Sequence, residues 1–149
     1  MSFLKSFESF IKEGIVKKQS SDLERASSLV KEAENKKAFF DRIIKNFSIK
    51  DTDSNYIVET SYDILIELLR AKLFLDGFNS SNSHEAEVAY MRNIGFNEEE
   101  VLFMNSLRYY RNGIKYYGRI FDKEYSLKVL NFLIKLYPKI RKLLKWSII

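Results

Sequence analysis

The chain contains no cysteine, a single proline, five glycines and one histidine among its 149 residues. The lack of cysteine excludes disulfides, thiolate metal sites and a cysteine nucleophile, and it suits a reducing cytoplasm, the location expected. So few glycines and prolines leave little turn chemistry for a sheet protein, so long helices are expected. With one histidine, His84, no histidine pair can hold a metal, and no acidic cluster around it has ligand spacing. No metal or cofactor is expected. No stretch approaches the roughly 18 apolar residues of a spanning helix. The start carries Glu8 and Glu13 before any long apolar run and does not read as a signal peptide. The chain is expected to be soluble.

What is present is 46% hydrophobic and 15% aromatic, enough for a real core in one domain spanning 1–149. Net charge is +5, unevenly spread. Residues 1–102 hold 14 Lys and Arg against 18 Asp and Glu, whereas residues 103–149 hold 11 against two, Asp122 and Glu124. A basic last third points to an anionic partner. The competing reading is that the acidic and basic parts pack together and their fields partly cancel.

Hydrophobic spacing and capping signals predict about six helices. The first spans about 2–15, with Phe3, Phe7, Phe10 and Ile11 on one face. The second starts at a Ser21-x-x-Glu24 capping box and runs to about Asn46. Its stripe is Leu23, Ala26, Leu29, Val30 and Ala33, then Phe40, Ile43, Ile44 and Phe47. A polar turn at 51–55 leads into a third, about 55–76, apolar over most of its circumference and therefore central. Gly77 ends it. Asn82-x-x-Glu85 caps a short fourth helix to about Asn93, closed by Gly95. Asn97 and three glutamates open the fifth, which ends near 117–118. The sixth covers about 122–146, with Leu127, Leu130, Leu133/Ile134, Tyr137, Ile140 and Leu144 inward and five lysines outward. Pro138 is expected to kink it or end its regular part. The lysine face reads as a solvated surface, and no membrane contact is expected.

Several side chains carry candidate chemistry. Asp63, Glu67 and Arg70 stand at i, i+4 and i+7 on the apolar third helix, where charges need partners. Two carboxylates so placed could do acid–base work or hold a metal, but they read more readily as intrahelical ion pairs, or with Glu67 orienting an arginine from a neighbouring helix. His84 reads as structural or as a lone acid–base group. The run Leu107–Arg119 carries Arg108, Arg111, Lys115 and Arg119 at i, i+3, i+7 and i+11, interleaved with four tyrosines. Guanidinium and ammonium groups neutralise phosphates, and aromatic faces stack on unpaired bases. Asn112 adds a neutral hydrogen-bonding group, and Gly113 removes a side chain where something else comes close.

These residues resemble the HEPN family, all-α domains that often dimerise and frequently act in prokaryotic toxin–antitoxin and defence systems. The family motif is an arginine, usually followed by a polar residue, then a histidine after four to six intervening residues. Arg111-Asn112 matches its start, and with four intervening residues the histidine position falls on Tyr116. The similarity covers about 20–135 and includes Ser61–Glu67, Gly77-Phe78 and Ser83–Ala86. It implies a HEPN-type up-and-down bundle of the second, third, fifth and sixth helices, with accessory helices at 2–15 and 84–93. It implies a symmetric homodimer with the Arg111 regions near its two-fold axis. In active members a ribose 2′-hydroxyl attacks the adjacent phosphorus without a metal, the histidine moves protons and the arginine steadies phosphoryl charge.

Tyr116 departs from that chemistry: a phenol near pKa ~10 is a poor base near neutrality, against ~6.5 for histidine. Losing a positioned base commonly removes about 10²–10⁴-fold in rate. The first reading is thus a non-catalytic or weakly active RNA- or nucleotide-binding protein using Arg108, Arg111, Asn112, Lys115, Tyr116 and Arg119, with Asp63 and Glu67 behind them. A minimal nucleotidyltransferase is its expected toxin–antitoxin partner. The second reading is a metal-independent endoribonuclease with Tyr116 or His84 in the histidine's place. The third is a structural protein whose basic face binds an acidic protein.

Overall fold

The computed structural model describes residues 3–144, apart from the side chains of Lys115 and Tyr116. The fold is an all-α helical bundle. Its helices are α1 (Phe7–Lys12), α2 (Leu23–Asn46), α3 (Ser54–Leu75), α4 (His84–Ala89), α5 (Glu98–Tyr117) and α6 (Lys123–Leu144). A 3-10 turn at Asp51–Asp53 precedes α3, and another at Tyr90–Ile94 follows α4.

α3 is the hub. It buries Ile57, Val58, Tyr62, Leu65, Leu69 and Leu73 among others, because its apolar residues occupy nearly every face. α2 runs antiparallel to it: Asp22 N–H donates to the Phe74 carbonyl at 2.9 Å at one end, and Lys36 pairs with Glu67 farther along. α5 and α6 are antiparallel to each other, with Lys139 bonded to Glu100 at 2.9 Å and Tyr110 edge-on to Tyr125. Lys123 N–H donates to Asp51 at 2.8 Å, so α6 starts beside the start of α3. The order is up–down–up–down, with α1 and α4 as accessory helices.

Local signals decide where the elements begin. α1 is shorter than 2–15. Ser6 caps it through a bond from Ser9 N–H at 3.2 Å, and Gly14, at φ +77°, turns the chain away. Phe3 is 85% exposed and is not part of that face. The chain then forms a two-residue strand, β1 (Lys17–Lys18), paired antiparallel with β2 (Phe78–Asn79). The cap of α2 is Asp22, whose carboxylate accepts Arg25 N–H at 3.0 Å, and not Ser21. Ser21 instead donates to the Leu75 carbonyl at 2.6 Å, an orphan acceptor at the end of α3. The cap of α4 is Ser83, not Asn82. Asn97 and Glu100 form the reciprocal capping box that opens α5, and Gly118, at φ +65°, closes it.

α6 buries Ser126, Val129, Leu133, Leu136, Ile140 and Leu144. The expected stripe lay partly on the adjacent face, and Leu127 and Ile134 are exposed. Both registers are apolar, and contact with α3 selects one. The helix runs through Pro138 and does not end there. The hydrogen bond this proline removes would reach the carbonyl of Ile134, on the exposed side where water can replace it. The expected extension to Trp146 lies outside the described residues.

Gly77 is required by two constraints together. Its φ is +87°, and a Cβ there would stand 2.7 Å from the Gln19 carbonyl oxygen. That oxygen belongs to the segment held by the Gln19 N–H to Gly77 carbonyl bond, 2.8 Å. Gly77→Ala is therefore expected to cost about 2 kcal/mol or more, read as a lowered melting temperature. An unchanged melting curve would show that this crossing yields freely.

Candidate functional site

Four segments converge at one end of α4. α5 supplies Arg108, Arg111 and Asn112, and α4 with its preceding loop supplies Asn82, Ser83, His84 and Glu85. Together they line an open hollow of about 500 Å³. α3 supplies the side chains beneath it. Arg111 Nη2 stands 3.2 Å from Asp63 Oδ1, and its guanidinium lies 6.0 Å from the centre of the Tyr62 ring. Among the described residues, Arg111 Nε is buried without a hydrogen-bond partner. Arg108 Nε donates to Asn105 Oδ1 at 3.0 Å, and its Nη1 stands 3.9 Å from Glu85. Each arginine thus has an acidic neighbour and unspent donors in a fork suited to phosphate.

A buried polar network lies behind this hollow. Glu87 is 0% exposed. Arg70 reaches it through Nε at 2.7 Å and Nη2 at 3.0 Å, and Ser80 Oγ donates to it at 2.6 Å. The same Arg70 Nη2 lies 3.1 Å from His84 Nε2, and His84 Nδ1 lies 3.0 Å from Tyr62 Oη. A guanidinium can only donate, so His84 Nε2 is the acceptor. The neutral ring then carries its proton on Nδ1 and donates it to Tyr62 Oη. Protonating Nε2 would set two donors against each other.

Burial lowers the pKa of His84 first, and Arg70 and Arg111 lower it further, while Glu87 and Asp63 pull the other way. The imidazole is held neutral, with its free lone pair occupied. Burial likewise pushes the Tyr62 phenol well above its usual range, so it remains protonated. The pH consequence follows from the sign of the histidine shift. The folded pKa lies below the ordinary value of 6.5, so this contribution to stability is complete above about pH 6.5. It is lost as pH falls through the folded value. Acid titration of unfolding free energy should show that decline, and His84→Gln should flatten it. Equal slopes in both proteins would remove His84 as its source.

The sequence-derived candidates separate into groups. Arg108, Arg111, Asn112 and His84 share the hollow, with Asp63 bound to Arg111. Among the described residues, Glu67 forms its ion pair with Lys36 of α2 and not with an arginine of a neighbouring helix. Asp63, Glu67 and Arg70 do not pair with one another, since each is drawn to a different neighbouring element. Arg119 is not on the α5 face, because Gly118 ends the helix before it. Its guanidinium stacks on Tyr110, 4.7 Å from the ring centre, and its side chain crosses Gly113, where a Cβ would meet it at 3.3 Å. Arg119 borders a second hollow with Tyr109, Asn112 and Tyr117. The side chains of Lys115 and Tyr116 lie outside the described residues.

The Glu87 network was not read from the sequence. Its one signal was Arg70 on an apolar helix, which required a buried partner, and His84 and Glu87 at i and i+3 on α4 supply two. Part of the basic excess is internally matched: Lys135 and Lys139 reach Glu100, and Arg141 reaches Glu34. Among the described residues no three of His, Asp and Glu gather as metal ligands would. No helix among them is long and apolar enough to cross a membrane. No family model, no curated protein and no solved structure matches the chain.

Proposed function

We propose that this chain is a HEPN-like protein that binds the phosphates of RNA or of a nucleotide in the hollow of Arg108, Arg111 and Asn112, with little or no cleavage. The observation that carries the reading is the convergence of two guanidinium groups and a neutral amide on one open face. Among the described residues, Arg111 stands there with a buried, unpartnered Nε and one carboxylate neighbour, Asp63. An incoming phosphate adds acceptors to groups already desolvated, which favours a charge-assisted contact.

Weak chemistry is expected because, among the described side chains, the carboxylates that face the arginines, Glu85 and Asp63, are their ion-pair neighbours, and the one imidazole there has its lone pair engaged. The motif's histidine position holds Tyr116, a phenol. His84 lines the same hollow, which favours the ribonuclease reading as the alternative. Its lone pair, however, is engaged by Arg70, so it can take a proton only after Arg70 lets go. A homodimer bringing two Arg111 regions together, and a minimal nucleotidyltransferase as partner, belong to the same proposal. They rest on the family resemblance.

Incubation of the purified protein with single-stranded RNA in EDTA separates the readings. Binding without cleavage is expected. Cleavage that disappears in Arg111→Ala would establish the ribonuclease instead. No binding at low salt would leave an acidic protein as the ligand of the basic face.

A further inference from the structure

Around α5, at about 100° per residue, the order is Arg111, Arg108, Asn112, Tyr109, Gly113 and Tyr117. The first half of that arc faces the arginine hollow. The second half, with Arg119 from the loop that follows, lines the other hollow, also of about 500 Å³. The two lie side by side, and Asn112 lines both. Tyr110 packs against Phe121 and Tyr125 on the far side of the helix. Tyr109 and Tyr117 are left 46% and 85% exposed at the second hollow.

Neighbouring groups hold this hollow in shape. Tyr109 rests edge-on against Tyr110, with 5.7 Å between ring centres. Arg119 lies over the Tyr110 and Phe121 rings, 4.7 and 5.3 Å from their centres. Its loop is pinned on both sides by Asn55, which donates to the Arg119 carbonyl at 2.8 Å and accepts from Phe121 N–H at 2.9 Å. Ring contact uses the flat face of the guanidinium and leaves its N–H edge for an acceptor.

We propose that the second hollow takes an unpaired nucleobase of a strand whose neighbouring phosphate lies on Arg108 and Arg111. Base binding here rests on the phosphate contact proposed for Arg111 and extends it. Two exposed tyrosine rings offer flat faces, on which any base stacks. Among the described residues the charged member of the lining is a cation, Arg119, and the lining is continuous with the two arginines. That suits a ligand in which flat rings alternate with phosphates, and it opposes a basic peptide. The Asn112 amide, on the shared border, offers a donor and an acceptor to a base edge.

The test compares a short single-stranded RNA with an abasic phosphodiester strand of the same length, by fluorescence anisotropy. The wild type is expected to bind the base-bearing strand about tenfold more tightly. Y109L/Y117L should lose that preference while keeping its affinity for the abasic strand. Y109F/Y117F, which retains both rings, should keep the preference. Both side chains are exposed, so the variants should melt within a few degrees of wild type, which is checked first. Equal binding of both strands by the wild type would overturn the base site, as would a preference that survives in the leucine variant or vanishes in the phenylalanine one. A lower sedimenting mass in the leucine variant would assign the two tyrosines to a second copy and also overturn it. Failure of the underlying phosphate contact looks different: Arg111→Ala would then bind both strands as the wild type does.

Discussion

Replacing Glu87 by alanine is expected to destabilise the protein by about 3 kcal/mol, the lower end of what breaking a buried ion pair costs. The carboxylate is fully buried and accepts bonds from both donor nitrogens of Arg70 that face it and from Ser80. Removing it leaves a guanidinium beneath the surface without its counter-charge. Arg70 retains about a fifth of its side-chain surface, so water can compensate in part, which places the expectation at the lower end. The effect should spread, because Arg70 also holds His84, and His84 holds Tyr62 under Arg111. Urea unfolding measures the loss. Replacing both partners by apolar residues, Arg70→Met with Glu87→Leu, should recover much of it, because the desolvation cost of the charges disappears with them. A loss below about 1 kcal/mol in Glu87→Ala would mean that water reaches Arg70 freely and that the network holds little.

Arg111→Ala is expected to weaken RNA binding tenfold or more, the largest functional effect of any single substitution here. A charge-assisted bidentate contact to phosphate is worth about 1.5–3 kcal/mol, and alanine removes it entirely. Arg111→Lys should recover only part, since an ammonium offers a point charge where the fork offered two parallel donors. Asp63→Asn gives the opposite sign. In the free protein Asp63 neutralises Arg111 from 3.2 Å, and a phosphate must compete with it. Removing that charge should tighten RNA binding several-fold. Weaker binding in Asp63→Asn would instead assign Asp63 the task of holding Arg111 in position.

Much of this architecture was legible in the sequence, and the exceptions have physical causes. α3 was readable because its residues are apolar on almost every face, and α5 because Asn97 and three glutamates mark its start. α1 was overestimated: Phe3, Phe7 and Phe10 share a helical period, but Ser6 caps the helix after the first of them. The pairing of β1 with β2 leaves no signal in two-residue strands joined across 60 positions. On α6 two adjacent stripes were equally apolar, so periodicity could not choose between them.

The site was legible in a narrower sense. Arg108, Arg111 and Asn112 follow from spacing on one helix. Their meeting with His84 does not, because it depends on how α4 is carried back across α3 by the turn at Gly77 and the loop after β2. The partners of Asp63, Glu67 and Arg70 were equally hidden. Helical spacing offered them to each other, and tertiary packing drew each to a different neighbour.

The central claim is that Arg108 and Arg111 neutralise phosphates of a bound strand. It is tested most directly by RNA affinity as a function of salt, in EDTA, for the wild type and the R108A/R111A variant. The account predicts a linear fall of log affinity with log salt whose slope shrinks by about 1.4 in the variant, as expected when two phosphate contacts to a single strand are lost. An unchanged affinity and slope in the variant would contradict it.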